Sequence, residues 1–116
     1  MRSWVEKRSV WIYKPSIDFR KQINGLVAMV TEEMGQRPND GSLYIFRNRG
    51  RNKIKVLMWD RNGFVLAYKR LEKGRFDMPE DKAGSVEITG DQLLMLISGM
   101  PMIHLCKNSE KEVAFS

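Results

Sequence analysis

The densest chemistry in this chain is the cation run FRNRGRNKIK (46–55), where Arg47, Arg49, Arg51, Lys53 and Lys55 recur every second residue with no acid among them. Like charges at that spacing repel, so an external anion or solvation must offset them. A guanidinium forks onto phosphate oxygens or a guanine edge, whereas an ammonium acts as a point charge. The chemistry on offer is capture of a polyanion rather than bond making. The run also extends: between Arg47 and Arg75 lie ten Lys/Arg (47, 49, 51, 53, 55, 61, 69, 70, 73 and 75) against two acids, Asp60 and Glu72, a surplus of eight. The whole chain carries only +6, so the remainder is slightly acidic. A localised field of this kind steers polyanions or acidic protein surfaces, and says nothing about fold.

Catalytic sets are hard to assemble from the other residues. Asp18, Asp60 and Glu72 could be imagined as oxygen ligands of a divalent ion in a nuclease. Their spacing supports no such set, because Asp18 suits the first turn of a helix and Asp60 flanks a turn. His104 and Cys106 are single members of their types, without partners for a zinc site, a disulfide or a nucleophile pair. No catalytic residue, metal, cofactor or small-molecule substrate is expected. Nor is a membrane partner, since no apolar run nears the ~20 residues of a span and MRSWVEKRSV lacks a signal-peptide core. The expected location is the cytoplasm, with nucleoid association if DNA is bound.

Positioning the cations falls to a chain of 116 residues, 42% hydrophobic and 29% charged, enough for one modest core. Residues 1–100 read as a single domain and 101–116 as a poorly ordered tail. Val10–Tyr13 is β-prone and is broken by Lys14-Pro15. Ser16 is a plausible N-cap for an amphipathic helix with Phe19, Ile23, Leu26, Val27, Val30 and Met34 on one face and Gly35 closing it. Gly25 within that stripe suggests a close backbone approach. After the loop QRPNDGS (36–42) come three strand-like runs, Leu43–Arg47, Lys53–Asp60 and Gly63–Leu71. Turns centred on Arg49-Gly50 and Asn62-Gly63 would pair Phe46 with Lys53 and Trp59 with Leu66. Val86–Ile88 reads as a short strand, and TGDQLLMLISG as a helix with Thr89 as N-cap, Gln92 completing a capping box and Gly99 closing it. The Met-rich LLMLISGMPM (93–102) is then a core helix and its exit. The expected fold class is α+β: a three-stranded antiparallel β-meander packed with an N-terminal amphipathic helix and a short C-terminal helix, the helices on one face.

Alternation sorts the strand residues onto two faces. Leu43, Ile45, Ile54, Val56, Met58, Ala67 and Leu71 share one, with Lys69 the exception, and this face is the natural seat for the helix. Tyr44, Phe46, Lys53, Lys55, Leu57, Trp59, Leu66, Tyr68 and Arg70 share the other. Rings interleaved with cations can stack on unpaired bases while the cations neutralise phosphates. The same rings could equally form a second core layer with the cations snorkelling outward. At 47–51 turn formation requires Asn and Gly but not three arginines, so contact with an anionic partner is expected there. YKRLEKGRF (68–76) extends the stripe, with Arg70, Lys73 and Arg75 able to grip a backbone or simply to remain solvated beside Glu72.

The series FRNR…KIK…WD..GF…YKRLE.GRF resembles the small accessory protein, TnpB or Orf2-like, of the insertion-sequence-sixty-six (IS66) transposons. Matching stretches are PSIDFRKQINGLVAMV (15–30), SLYIFRNRGRNKIKVLMWDRNGFVLAYKRLEKGRF (42–76, with Pro79 beyond) and VEITGDQLLMLISG (86–99), in the family's order. The first nine residues and the tail after Gly99 diverge. The resemblance implies a bacterial protein encoded beside a larger transposase and needed for transposition, with no catalytic residues to carry over. It maps the family's basic series onto Arg47, Arg49, Arg51, Lys53, Lys55, Lys69, Arg70 and Arg75, with Arg20 and Lys21 opening the helix. Gly50 stands where many members carry a charge, which softens that turn. Charge and resemblance together lead to an accessory factor that binds DNA, at transposon ends or target, through a basic β-hairpin surface. Its nucleic-acid-binding residues would be Arg47, Arg49, Arg51, Lys53, Lys55, Lys69, Arg70 and Arg75, with Trp59 and Tyr68 touching bases if exposed. The alternative is an adaptor that docks on the transposase without binding DNA itself.

Overall fold

A sheet with a helix on each face positions the basic residues. The computed structural model describes residues 8–79 and 83–99; the proposed tail, with His104 and Cys106, lies outside the described residues, as does the exit at 100–102. In chain order the elements are β1 (Val10–Tyr13), α1 (Ile23–Glu32), β2 (Leu43–Arg47), β3 (Lys53–Asp60), β4 (Gly63–Arg70), β5 (Ser85–Ile88) and α2 (Gly90–Ile97). The strands form one five-stranded sheet in the order β4-β3-β2-β1-β5. The pair β1–β2 is parallel, Val10 beside Leu43 and Ile12 beside Ile45, and the other pairs are antiparallel.

This corrects the expected three-stranded antiparallel meander. The meander β2-β3-β4 exists but is only part of a mixed sheet, because β1 and β5 join beyond β2. Each has four residues, too few for alternation to reveal which neighbour it takes. A parallel neighbour needs a crossover connection, and α1 supplies it between β1 and β2. Strand β2 thus becomes central and is buried at all five positions.

Alternation assigned the two faces correctly but not their helices. Leu43, Ile45, Ile54, Val56 and Met58 pack with Val10, Ile12, Phe76, Met78, Ile88 and with Leu93 and Leu96 of α2. Tyr44, Phe46 and Leu57 pack instead under Leu26 and Val30 of α1, with Phe64 and Leu66 at the margin. The aromatic face is therefore the seat of α1. Phe46, Tyr44 and Leu57 are wholly buried there, each worth about 1.5–3 kcal/mol of apolar burial.

Helix α1 begins at Ile23, not near Ser16, with Gln22 as an N-cap that makes no side-chain cap bond. Ile17 N donates to Arg47 O at 3.0 Å, tying the preceding segment to the end of β2. The ammonium of Lys55 then takes the carbonyls of Phe19 (2.9 Å) and Lys21 (2.7 Å). Those are acceptors that a helix through 19–25 would need, so a tertiary bond delays the helix by nearly two turns. Asp18 accordingly pairs with Arg20 rather than capping a helix. At the far end Gly35 has φ 65°, the left-handed terminator its position implied. An added Cβ at Gly25 would meet Lys21 side-chain carbons, the nearest at 3.4 Å, so the close approach is to a side chain rather than to sheet backbone.

Both hairpins are displaced by two residues from the expected registers. Trp59 faces Phe64 and Leu57 faces Leu66, while Phe46 faces Lys55. A shift of two keeps every residue on its face, which is why the face assignment survived. The gain is a cross-strand edge-to-face pair, Trp59 with Phe64 at 5.0 Å between centroids. The left-handed positions fall on Arg51 (φ 63°) and Arg61 (φ 57°) rather than on Gly50 or Gly63. The expected capping box at α2 is present, Gln92 N donating to Thr89 Oγ1 and Thr89 N to Gln92 Oε1.

Candidate functional site

Two of the run's five cations turn inward. Arg47 is 1% exposed; its Nε donates to Lys14 O at 2.9 Å and an Nη to Asn48 O at 3.2 Å. Lys55 is 4% exposed, its ammonium on the two carbonyls of 19–21 and 4.7 Å from the centre of the Phe19 ring. Burial pulls the Lys55 pKa below its ordinary value. Arg47 and Lys55 thus act as internal ties rather than as part of the surface. Lys69, the odd cation on the aliphatic face, also has an internal partner: its Nζ donates at 2.6 Å to the carbonyl of Ile97, the last residue of α2. There it satisfies a C-terminal orphan carbonyl and opposes the negative end of the helix dipole.

The run's other three cations gather at one corner with Lys73 and Arg75, whereas Arg61 sits at the opposite end of β3, in the turn to β4. Asn48 shapes the loop 48–52, its Oδ1 accepting from Lys53 N at 3.1 Å and its Nδ2 donating to Asn52 Oδ1 at 2.7 Å. The segment after β4 is bolted onto this loop by two backbone bonds, Leu71 N to Asn52 O (2.8 Å) and Phe76 N to Arg51 O (2.7 Å). Phe76, buried at 2% exposure, anchors it in the aliphatic core. Arg49 on one loop and Lys73 and Arg75 on the other are thereby exposed side by side, with Arg51 and Lys53 half-buried beside them. Glu72 alone is acidic on these two loops, and it already pairs with Arg70 at 3.0 Å. Sequence spacing could not bring 49–53 and 73–75 together, because the bonds joining them are between backbone atoms.

Of the rings, Tyr44 and Phe46 are core, and Trp59 is half-buried against Phe64. Tyr68 is 55% exposed and is the one large hydrophobic residue so exposed among those described. Trp59 lies four residues along β3 from Lys55, the partner of Tyr68, hence about 13 Å away. The structure therefore does not bring the two expected base-contacting rings together. Tyr68 instead borders a concave groove of about 590 Å³ lined also by Asp18, Phe19, Arg20, Gln22, Lys53, Lys55 and Leu66. Phe19 and Gln22 escaped sequence reasoning as site residues, since they reach the groove only because the segment 16–22 is not helical, whereas alternation had already put Leu66 on this face. On the rim, Asp18 is held by the Arg20 guanidinium, whose hydrogen bonds keep its carboxyl well below the usual range.

Asp18 and Glu72 are each paired with an arginine, and Asp60 ends β3 at the turn. Among the described residues no group of three or more His, Cys, Asp or Glu could hold a metal ion, and no helix is long and apolar enough to cross a membrane.

Comparison with known proteins gives the family directly. Residues 8–107 match the family model described as IS66 Orf2 like protein. Two proteins of Sinorhizobium fredii (strain NBRC 101917 / NGR234) are similar, both designated uncharacterized. One, y4hO, is 37% identical over 95 residues, covering 82% of this chain and 83% of its own. The other, y4jC, is 32% identical over 84 residues, 72% of each chain. No solved structure matches. The chain belongs to the IS66 Orf2-like family of insertion-sequence accessory proteins.

Proposed function

We propose that this protein assists transposition by binding DNA, at the transposon ends or at the target, through the basic corner formed by the loops 48–52 and 71–76. Arg49, Arg51, Lys53, Lys73 and Arg75 carry the phosphate contacts. Arg70 extends the track while sharing Glu72, and Lys69 lies beyond it at the end of α2. The observation behind this reading is the pair of backbone bonds that fixes two separately basic loops against each other, with Glu72 of the second loop paired to Arg70. A fixed array of cations is rewarded by a regular polyanion, because each phosphate neutralised releases condensed counterions. The reading asks for no chemistry from the protein, in keeping with a family of insertion-sequence accessory proteins.

The test is fluorescence anisotropy on labelled duplexes of several sequences at low salt. The wild type should bind all of them, and the triple variant Arg49→Ala/Arg51→Ala/Arg75→Ala should bind all of them more weakly by a similar factor. Equal affinity of variant and wild type would remove the corner from the mechanism. A chain that shifts no DNA yet co-purifies with the transposase would instead make the same surface a protein-docking face.

A further inference from the structure

We infer that the groove beside Tyr68 is a binding site for an unpaired nucleotide, and that the protein prefers single-stranded over duplex DNA there. This deepens the DNA-binding reading and rests on it. The groove joins the basic corner through Lys53, which belongs to both. Its occupant has to satisfy two demands at once. It must offer a flat apolar body for the exposed face of Tyr68, whose position is braced by an edge-to-face contact with Phe19 at 5.8 Å. It must also offer an anion for Lys53, which lies directly across from Arg70, two residues along β4 from Tyr68 and so about 7 Å on. A nucleotide is that combination, a base on the ring with its phosphate on the adjoining cation.

Duplex bases are already stacked and paired, so they cannot enter a concavity walled by Phe19, Tyr68 and Leu66. An unpaired base can. The volume of about 590 Å³ falls within the range of about 300–1,000 Å³ typical of sites for small ligands. Gln22 on the rim supplies an amide able to donate to or accept from a base edge. Asp18, the one acid lining the groove, is engaged by three hydrogen bonds from the Arg20 side chain and does not oppose the phosphate alone. The ammonium of Lys55 holds the carbonyls of Phe19 and Lys21, so the wall carrying Phe19 is pinned before any ligand arrives. A preformed wall lowers the ordering cost of binding.

The experiment compares labelled oligothymidylate of about a dozen nucleotides, within the usual footprint of single-strand binders, with a hairpin duplex of similar charge. Wild type, Tyr68→Ala and Tyr68→Phe are titrated by anisotropy at the same low salt, after circular dichroism has verified equal folding. The expected result is tighter single-strand binding by the wild type and a loss of about fivefold to a hundredfold with Tyr68→Ala. Tyr68→Phe should retain the affinity, and duplex affinity should stay within about twofold for both variants. Single-strand affinity indifferent to Tyr68→Ala would overturn the groove while leaving duplex binding by the corner intact. Absence of binding to either DNA would overturn both.

Discussion

Replacing Lys55 by methionine tests whether a buried cation sets the path of the chain into α1. The substitution keeps the length of the stem and removes the ammonium. Two bonds disappear, 2.9 Å to Phe19 O and 2.7 Å to Lys21 O, together with the contact 4.7 Å from the Phe19 ring. A carbonyl left unsatisfied costs about 1–3 kcal/mol, and the cation–π contact is worth about 0.5–1 kcal/mol. Against this, the variant no longer has to bury a charge, a cost that shows in the lowered Lys55 pKa. The exposed neighbours Arg20 and Lys21 let water reach part of the gap, which places the net loss at about 2–4 kcal/mol. Urea unfolding at neutral pH should show it as a lower midpoint with an unchanged slope. Hydrogen exchange should quicken most at amides 16–22. The pH signature has a definite sign. A folded pKa depressed below 10.5 means that the unfolded chain binds the Lys55 proton more tightly. Wild-type stability carried by this group is greatest above 10.5 and lost as pH falls through the folded pKa, and Lys55→Met lacks that dependence. A methionine variant as stable as wild type would refute the reasoning, since the bonds would then not outweigh the desolvation they require.

Other outcomes follow from single contacts. Burial, with the Asp40 carboxylate at 3.0 Å, pushes the Tyr44 phenol up to about 12, so its contribution is full below pH 10 and is lost as pH rises toward 12. Relative to Tyr44→Phe, wild-type stability should fall by roughly 2–3 kcal/mol across that window in alkaline urea titrations, and parallel curves would contradict the assignment. Thr89→Ala removes the oxygen that accepts Gln92 N at 3.0 Å and should cost about 1 kcal/mol by thermal or urea unfolding; no change would mean the box is ornamental. Lys69→Met frees the Ile97 carbonyl and should cost about 0.3–1 kcal/mol. Its DNA affinity should fall less than that of Arg75→Ala, and the reverse order would return Lys69 to the interface.

Much of the fold was legible because alternation is a strong signal. It placed Tyr44, Phe46 and Leu57 opposite Ile45, Val56 and Met58, and a two-residue slip in both hairpins left that partition intact. Capping chemistry was legible too, since the Thr89–Gln92 box depends on residues three apart. Illegible were the features made by distant backbone. The sequence carries no sign that β1 runs parallel to β2, or that Lys55 reaches back more than thirty residues to take two carbonyls. That one contact moved Phe19 and Gln22 off the helix and into the groove. The alternating run and its extension through Lys73 and Arg75 were visible in the sequence, yet the fold consumes Arg47 and Lys55 internally and sets the remaining cations of 49–53 against the 71–76 loop through backbone bonds. Charge count is a property of sequence, whereas which charges face water is decided by packing.

Salt dependence of DNA affinity tests the basic corner most directly. Five phosphate contacts are assigned, to Arg49, Arg51, Lys53, Lys73 and Arg75, while Arg70 is shared with Glu72. At about −0.9 per phosphate contact, log affinity should fall against log salt with a slope near −4.5, roughly a 500-fold loss between about 50 and 200 mM. For Arg49→Ala/Arg51→Ala/Arg75→Ala the slope should shrink to about −1.8, a loss of only about twelvefold over the same range. Identical slopes for the two proteins, or affinity indifferent to salt, would contradict the claim that these loops grip a polyanion.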